Sequence, residues 1–258
     1  MSEYIENFMK FRPLLSELIS RDVKIKYRRS ILGVLWTLLN PLCMMIILSI
    51  VFSNLFKFDI ENFPLYVMSG QVIFNFYSES TSNAMSAIIG NSSLIKKVYV
   101  PKYLFVVSRV FSSFINLMAS FSALLLVMLA TRAELHWTVV LSVIPLFLVV
   151  VFSLGIGLLL SALTVKFRDI MHLYSVFTTG LMYLTPVIYP MSMLSDRIRM
   201  IVSINPLTGM LIMFRETMFY NTVPSVESIA IAGVEAILAL VVGLYIFYRN
   251  QDMFILNI

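Results

Sequence analysis

Charge is what this chain has least of. Of its 258 residues only 13% are Asp, Glu, Lys or Arg, while 59% are hydrophobic and the mean hydropathy is +0.90. Soluble domains carry roughly a quarter charged residues. So little polar surface cannot solvate a globule of this length, which excludes a water-soluble domain and leaves the bilayer as the natural solvent. Histidine is nearly absent. His136 and His172 stand alone without ligand spacing, so no metal site is expected. The one cysteine, Cys43, excludes an intramolecular disulfide and, lying in an apolar run, reads as a small core hydrophobe. There is no GxxxxGK[ST] phosphate loop and no GxSxG elbow, which removes nucleotide binding by that route and the common hydrolase arrangement. No internal repeat or low-complexity tract is visible. The first apolar run follows a charged leader and is too long for a signal-peptide core, so it is expected to remain as a span.

What is present is apolar length. About 20 apolar residues cross the hydrocarbon, and six segments qualify: 31–56, 63–89, 103–130, 138–165, 170–189 and 229–248. The second is the weakest, being rich in Ser, Thr and Asn between Tyr77 and Ser86 and carrying Glu79. It is expected to face other helices or a polar cavity rather than lipid. Between the last two segments, Asn205-Pro206 and Arg215-Glu216 interrupt an apolar stretch, and two short helices dipping into the membrane are expected in place of a span. The expected fold is all-α and polytopic: an N-terminal amphipathic interface helix (1–30), then a single six-helix transmembrane domain (31–258), with short re-entrant helices between spans five and six. With the N-terminus inside, 14 of the 19 Lys and Arg fall on the cytoplasmic side, as the positive-inside rule requires. Both termini are then cytoplasmic. The net charge of +5 is a topology signal, and nucleic-acid binding is not expected.

Several segments suggest mechanism. In the leader, Leu14, Leu15, Leu18, Ile19 and Val23 recur at helical spacing, with Pro13 suited to a first turn. Arg21, Lys24, Lys26, Arg28 and Arg29 would lie at the headgroups. The loop 91–102 combines Asn91, Leu94, Ile95 and Val98 with Lys96 and Lys97 before Pro101. Its apolar side chains need a cover that either a cytoplasmic protein or the membrane surface could supply. The loop 166–170 is tight, and Arg168 and Asp169 could cap the flanking helices. Two carboxylates, Glu79 and Glu235, fall inside spans, where ionisable groups are costly and are functional suspects. Trp36, Phe74, Phe76, Tyr77 and Tyr183 could stack on sugar rings or simply pack.

In order along the chain, Arg21-Asp22, Lys26-Tyr27-Arg28, Ser30, Leu32-Gly33, Leu35-Trp36, Asn40-Pro41, Leu94 to Lys97 with Pro101, Phe167-Arg168-Asp169, Thr185-Pro186 with Tyr189, and Asn205-Pro206 resemble the signature of type-2 ABC permeases. More narrowly they resemble the branch that exports polysaccharides, with O-antigen and teichoic-acid permeases ranked above capsule permeases. The resemblance covers essentially the whole chain. It implies a homodimeric permease that pairs with two copies of a separate nucleotide-binding ATPase. ATP and Mg²⁺ then reside in that partner, with no cofactor in this chain and no enzymatic activity of its own. It implies ATPase contacts at the interface helix and at two coupling loops, with Asn91, Leu94, Ile95, Lys96, Lys97 and Pro101 in one and Phe167, Arg168 and Asp169 in the other. It implies an outer gate in 191–220 with Asn205, Pro206, Arg215 and Glu216, and a channel for a lipid-linked glycan lined by Trp36, Phe74, Phe76, Tyr77, Glu79 and Tyr183. Drug and lipid exporters share this plan, and an ion-coupled carrier working through Glu79 or Glu235 is the main rival. A membrane enzyme is disfavoured because no catalytic cluster is found.

Overall fold

Apolar periodicity and scarce glycine favour helices, and the computed structural model is helical, with no strand among the described residues, 2–27, 30–56, 60 and 62–257. Helix α1 (Ser2–Tyr27) leads through a 3₁₀ turn (Gly33–Leu35) to α2 (Trp36–Phe56) and α3 (Phe63–Met85). Gly33 makes that entry turn at φ +50°, a left-handed conformation that glycine adopts without penalty. Two short turns, α4 (Ala87–Gly90) and α5 (Ser92–Ile95), precede α6 (Tyr103–Ala130). A 3₁₀ segment (Trp137–Ser142) runs into α7 (Val143–Lys166), followed by α8 (Ile170–Tyr183), α9 (Asp196–Ile204) and α10 (Pro206–Phe219). Helix α11 (Val226–Asn250), a 3₁₀ turn (Gln251–Met253) and α12 (Phe254–Asn257) complete the chain.

By length and composition, three of the described helical stretches can cross a membrane: Tyr103–Ala130, Trp137–Lys166 and Val226–Met253. The pair α9 and α10, bent by 93° at Asn205, makes a fourth if counted as one span. Six spans were expected; by length and composition alone three or four qualify among the described residues. The apolar part of α2, Trp36–Val51, is shorter than a crossing, and α3 is long enough but too polar toward its end. The expected fifth span, 170–189, stops as a helix at Tyr183. Pro186 offers no amide hydrogen and disfavours the helical conformation at Thr185, so the chain leaves the helix there.

Helix α3 is the centre of the bundle. It packs on α2, α6, α7, α8 and α10, and 17 of its 23 residues are buried. The expectation that the weakest apolar segment would face protein is met, and the hydroxyls of Ser69, Ser80 and Thr81 bond back to carbonyls of their own helix. Helices α7 and α11 form the most extensive pair. Gly155 and Gly243 face each other at their crossing, where a Cβ on Gly243 would fall on the Gly155 carbonyl oxygen. Small residues at such crossings let backbones approach when no hydrophobic force drives helices together in lipid. Helix α1 lies on α6 through Leu15 and Leu18, both buried. It begins at Ser2, so Pro13 sits in the helix interior and not in the first turn. Cys43 is exposed on α2 and not a core residue, in keeping with the exposed apolar neighbours Met44, Ile46 and Ile47.

Candidate functional site

The first expected coupling loop is built from its inside outward. Ile95 and Val100 are buried, and Leu94 is half-buried, so the chain's own core covers most of the apolar residues that seemed to need a partner. Pro101 is half-buried at the start of α6. Lys96, Lys97, Val98 and Tyr99 remain on the surface, Tyr99 at 94% exposure. Tyr99 carried no sequence signal beyond its place in the loop. Asn91 is buried and acts as a peg: its Nδ2 donates to the Ala87 carbonyl at 2.8 Å and its Oδ1 accepts from Arg21 Nη2 at 2.9 Å.

That hydrogen bond joins the loop to α1. Arg21 also pairs with Asp22 at 3.0 Å, and the other Asp22 oxygen faces Arg109 Nε of α6 at 3.4 Å. Arg109 therefore turns to a buried carboxylate. Four residues on, Lys26 Nζ meets Glu79 Oε1 of α3 at 2.7 Å, and Asn116 Nδ2 of α6 donates to the same oxygen at 2.6 Å. Lys24 is exposed, while Arg28 and Arg29 lie outside the described residues. Charges one turn apart on an amphipathic helix were visible in the sequence; their partners, 53 to 87 residues away in the chain, were not.

The second loop holds Phe167, Arg168 and Asp169 exposed between α7 and α8. Backbone bonds close it, with Met171 N donating to the Arg168 carbonyl and His172 N to that of Asp169. Asp169 occupies the N-cap position of α8 but its side chain makes no capping bond, contrary to the expected capping role. The Lys166 ammonium stands 5.3 Å above the Phe167 ring.

The expected channel residues separate into two groups. Phe74, Phe76 and Tyr77 are at most 4% exposed inside the chain's own core, and Tyr77 stacks on Phe152 at 5.8 Å. Side chains enclosed by their own bundle present no surface to a passing solute, so in this conformation they are packing residues. Trp36 and Tyr183 are exposed. Tyr183 belongs to α8, which buries only Tyr174 and Thr178 and leaves His172, Ser175 and Thr179 open with it. The Tyr174 hydroxyl donates to Thr81 Oγ1 at 2.6 Å, seating α8 on α3. The open part of α8 mixes these polar groups with exposed Leu173, Val176 and Phe177. Glu235 is half-buried on α11, and the ion pairs among the described residues do not join it to Glu79.

At the other end, Arg215 is the organising side chain. It is 4% exposed, with Nε bonded to Ser69 Oγ at 3.1 Å and Nη1 to the Pro186 carbonyl at 2.7 Å. Nη2 reaches the carbonyls of Tyr66 and Val187, both at 3.0 Å, and the guanidinium lies 3.5 Å from the Tyr66 ring centroid. Among the described residues no carboxylate pairs with it, the adjacent Glu216 included. A planar fork with five donors suits such a carbonyl cage. Asn205 secures the same break. Its Oδ1 caps α10 through Leu207 N at 3.1 Å, and its Nδ2 donates to Thr185 Oγ1 at 2.9 Å. Pro206 occupies the first turn of α10, where a missing amide hydrogen costs nothing. Tyr66 Oη donates to the Tyr189 carbonyl at 2.9 Å, and Gly70 leaves room for Val187. The four residues expected at an outer gate thus include two, Asn205 and Arg215, that tie α3, α8 and α10 to one irregular segment.

A family model described as ABC-2 type transporter matches residues 13–219. The O-antigen export system permease protein RfbA of Myxococcus xanthus is 29% identical over 241 residues, covering 92% of this chain and 93% of that protein. The protein of the same name from Klebsiella pneumoniae is 29% identical over 245 residues, 93% of each chain. The capsule polysaccharide export inner-membrane protein BexB of Haemophilus influenzae is 24% identical over 238 residues, 90% of this chain and 88% of its own.

Proposed function

The chain belongs to the ABC-2 type transporter family, and on that premise we propose that it is the permease subunit of an exporter moving a lipid-linked polysaccharide, O-antigen-like or teichoic-acid-like, across the cytoplasmic membrane. The observation that carries this reading is the match to O-antigen permeases over nine-tenths of both chains. A local motif would support only a shared fold; near end-to-end correspondence supports a shared task.

In this reading the chain hydrolyses nothing. Two copies pair with two ATPase subunits that hold ATP and Mg²⁺, and this chain carries no cofactor. Both termini lie in the cytoplasm. Six crossings require α2 and α3 to cross as shielded helices and α8 to cross together with the irregular segment 184–190, while α9 and α10 re-enter from outside. The ATPase docks on Lys96, Lys97, Val98 and Tyr99, on Phe167, Arg168 and Asp169, and on the exposed face of α1. The exposed placement of both loops supports this. Hydrolysis closes the partner subunits, and the helices answer as rigid bodies. The glycan path runs along Trp36, Tyr183 and the open α8 face with His172, Ser175 and Thr179. Hydroxyl and aromatic groups there can meet a sugar, and the exposed Leu173, Val176 and Phe177 beside them can meet the lipid that carries it. A solitary ion-coupled carrier is disfavoured because Glu79 is already engaged by Lys26 and Asn116.

The test is affinity purification of the tagged chain in mild detergent with an ATPase assay of the eluate. An ATP-binding subunit should co-purify in stoichiometric amount and be released by charge reversal at Lys96 and Lys97 or at Arg168. Recovery of the chain alone, with no ATPase activity and no loss of surface glycan on its deletion, would sink the reading.

A further inference from the structure

Helix α1 is fastened to the bundle at two points that differ in kind. At Asp22 the side chain is buried; one oxygen accepts from Arg21 of its own helix, and the other lies 3.4 Å from Arg109 Nε of α6 as an ion pair without a hydrogen bond. One helical turn further, Lys26 and Glu79 form a partly exposed pair, at 45% and 31% side-chain exposure. The Asp22 carboxylate is enclosed, so stripping it of a partner leaves an uncompensated ion, whereas the Lys26–Glu79 pair, open to the outside of the bundle, parts at lower cost. Glu79 is moreover provided for when Lys26 leaves. Asn116 Nδ2 still donates to it at 2.6 Å, and Ser113 Oγ at 3.5 Å, the latter oriented by Asn83 Nδ2 at 3.2 Å. A carboxylate with neutral donors from α6 already in place does not become an unsatisfied group.

We propose that Asp22 is a fixed pivot for α1 and that Lys26–Glu79 is a latch which opens and closes in each transport cycle, making Glu79 a positioning residue for coupling. This rests on the transport reading above. Residues 22 and 26 are one turn, roughly 6 Å, apart on one face. A small tilt about Asp22 therefore parts Lys26 from α3. The Arg21 bond to Asn91 ties the base of the first coupling loop to the fixed end of this motion, so α1 and that loop stay joined while the Lys26 end swings. The latch couples that tilt to α3, the helix about which the bundle is packed.

The experiment uses the full chain assembled with its ATPase subunit in vesicles, in a Cys43→Ser background. Lys26→Cys with Glu79→Cys is bridged by a short bifunctional methanethiosulfonate. A latch predicts that bridging lowers glycan export by about fivefold or more, the lower range of typical site-to-site coupling, and that reductant restores it. A merely structural contact predicts full export in the bridged state, which overturns the proposal. As a second measurement, Glu79→Gln should raise ATP hydrolysis without glycan while the complex stays assembled, and the charge swap Lys26→Glu with Glu79→Lys should bring it back down. Hydrolysis in Glu79→Gln equal to that of the parent overturns the latch as well. If the Cys43→Ser chain with residues 26 and 79 intact does not export, the transport reading itself fails, and the latch with it.

Discussion

Replacing Arg215 by Met should loosen the outer segment without unfolding the protein. Met keeps most of the stem volume but removes the guanidinium, which bonds Ser69 Oγ and the carbonyls of Pro186, Tyr66 and Val187. The carbonyls of Pro186 and Val187 sit in an irregular, buried segment where the helix ladder offers no replacement donor. Leaving a buried carbonyl without its donor costs about 1–3 kcal/mol each, and the lost contact with the Tyr66 face adds to this. Such a loss is comparable with a large part of a typical domain's stability of roughly 5–15 kcal/mol. It falls on the segment joining α8 to α9 more than on the α7–α11 pair. The assay is thiol labelling of Val187→Cys, a position only 1% exposed, in a Cys43→Ser background. With local opening governing access, the labelling rate should rise at least about 20-fold in Arg215→Met, since two carbonyls at about 1 kcal/mol or more each and 1.4 kcal/mol per factor of ten set that minimum. Arg215→Lys should fall between, because an ammonium has three donors and no planar fork. A labelling rate within twofold of the parent in Arg215→Met would refute the cage as the element that holds this segment.

Two further outcomes follow from packing. Gly243→Val should lower the thermal midpoint by an amount corresponding to at least about 1–3 kcal/mol of overpacking, because any Cβ there meets the Gly155 carbonyl; Gly233→Ala, on the same helix with open space at its Cβ, should leave the midpoint unchanged in the same melting experiment. Phe254→Ala should destabilise by about 3–5 kcal/mol in a denaturation series, since the ring is 1% exposed, lies 5.2 Å from that of Phe247 and has the Lys102 ammonium 5.9 Å above it. Equal midpoints for Gly243→Val and the parent, or for Phe254→Ala and the parent, would show that these contacts are not what holds α11 to the bundle.

The solvent class, the helical architecture and the family were all legible from residues alone. They depend on quantities that composition and local order carry: transfer free energy summed along a segment, the sign of charges beside it, and where proline and glycine interrupt a helix. The polar run in α3 even showed that this helix needed protein around it. Three things were decided only by the tertiary structure. Aromatic residues of α3 could have faced a channel or the core, because polar and apolar residues alternate around that helix with little period from which to read its orientation, and packing against α6 and α7 enclosed them. The 170–189 run has the composition of a span, yet it ends as a helix at Tyr183, and the strand of chain that follows is held by Arg215 and Asn205 from α10. Asp22, Glu79 and Arg215 announced only that they were expensive to bury. Which donors and acceptors offset that cost depends on side chains tens to more than a hundred residues away, and proximity of that kind exists only once the helices have packed.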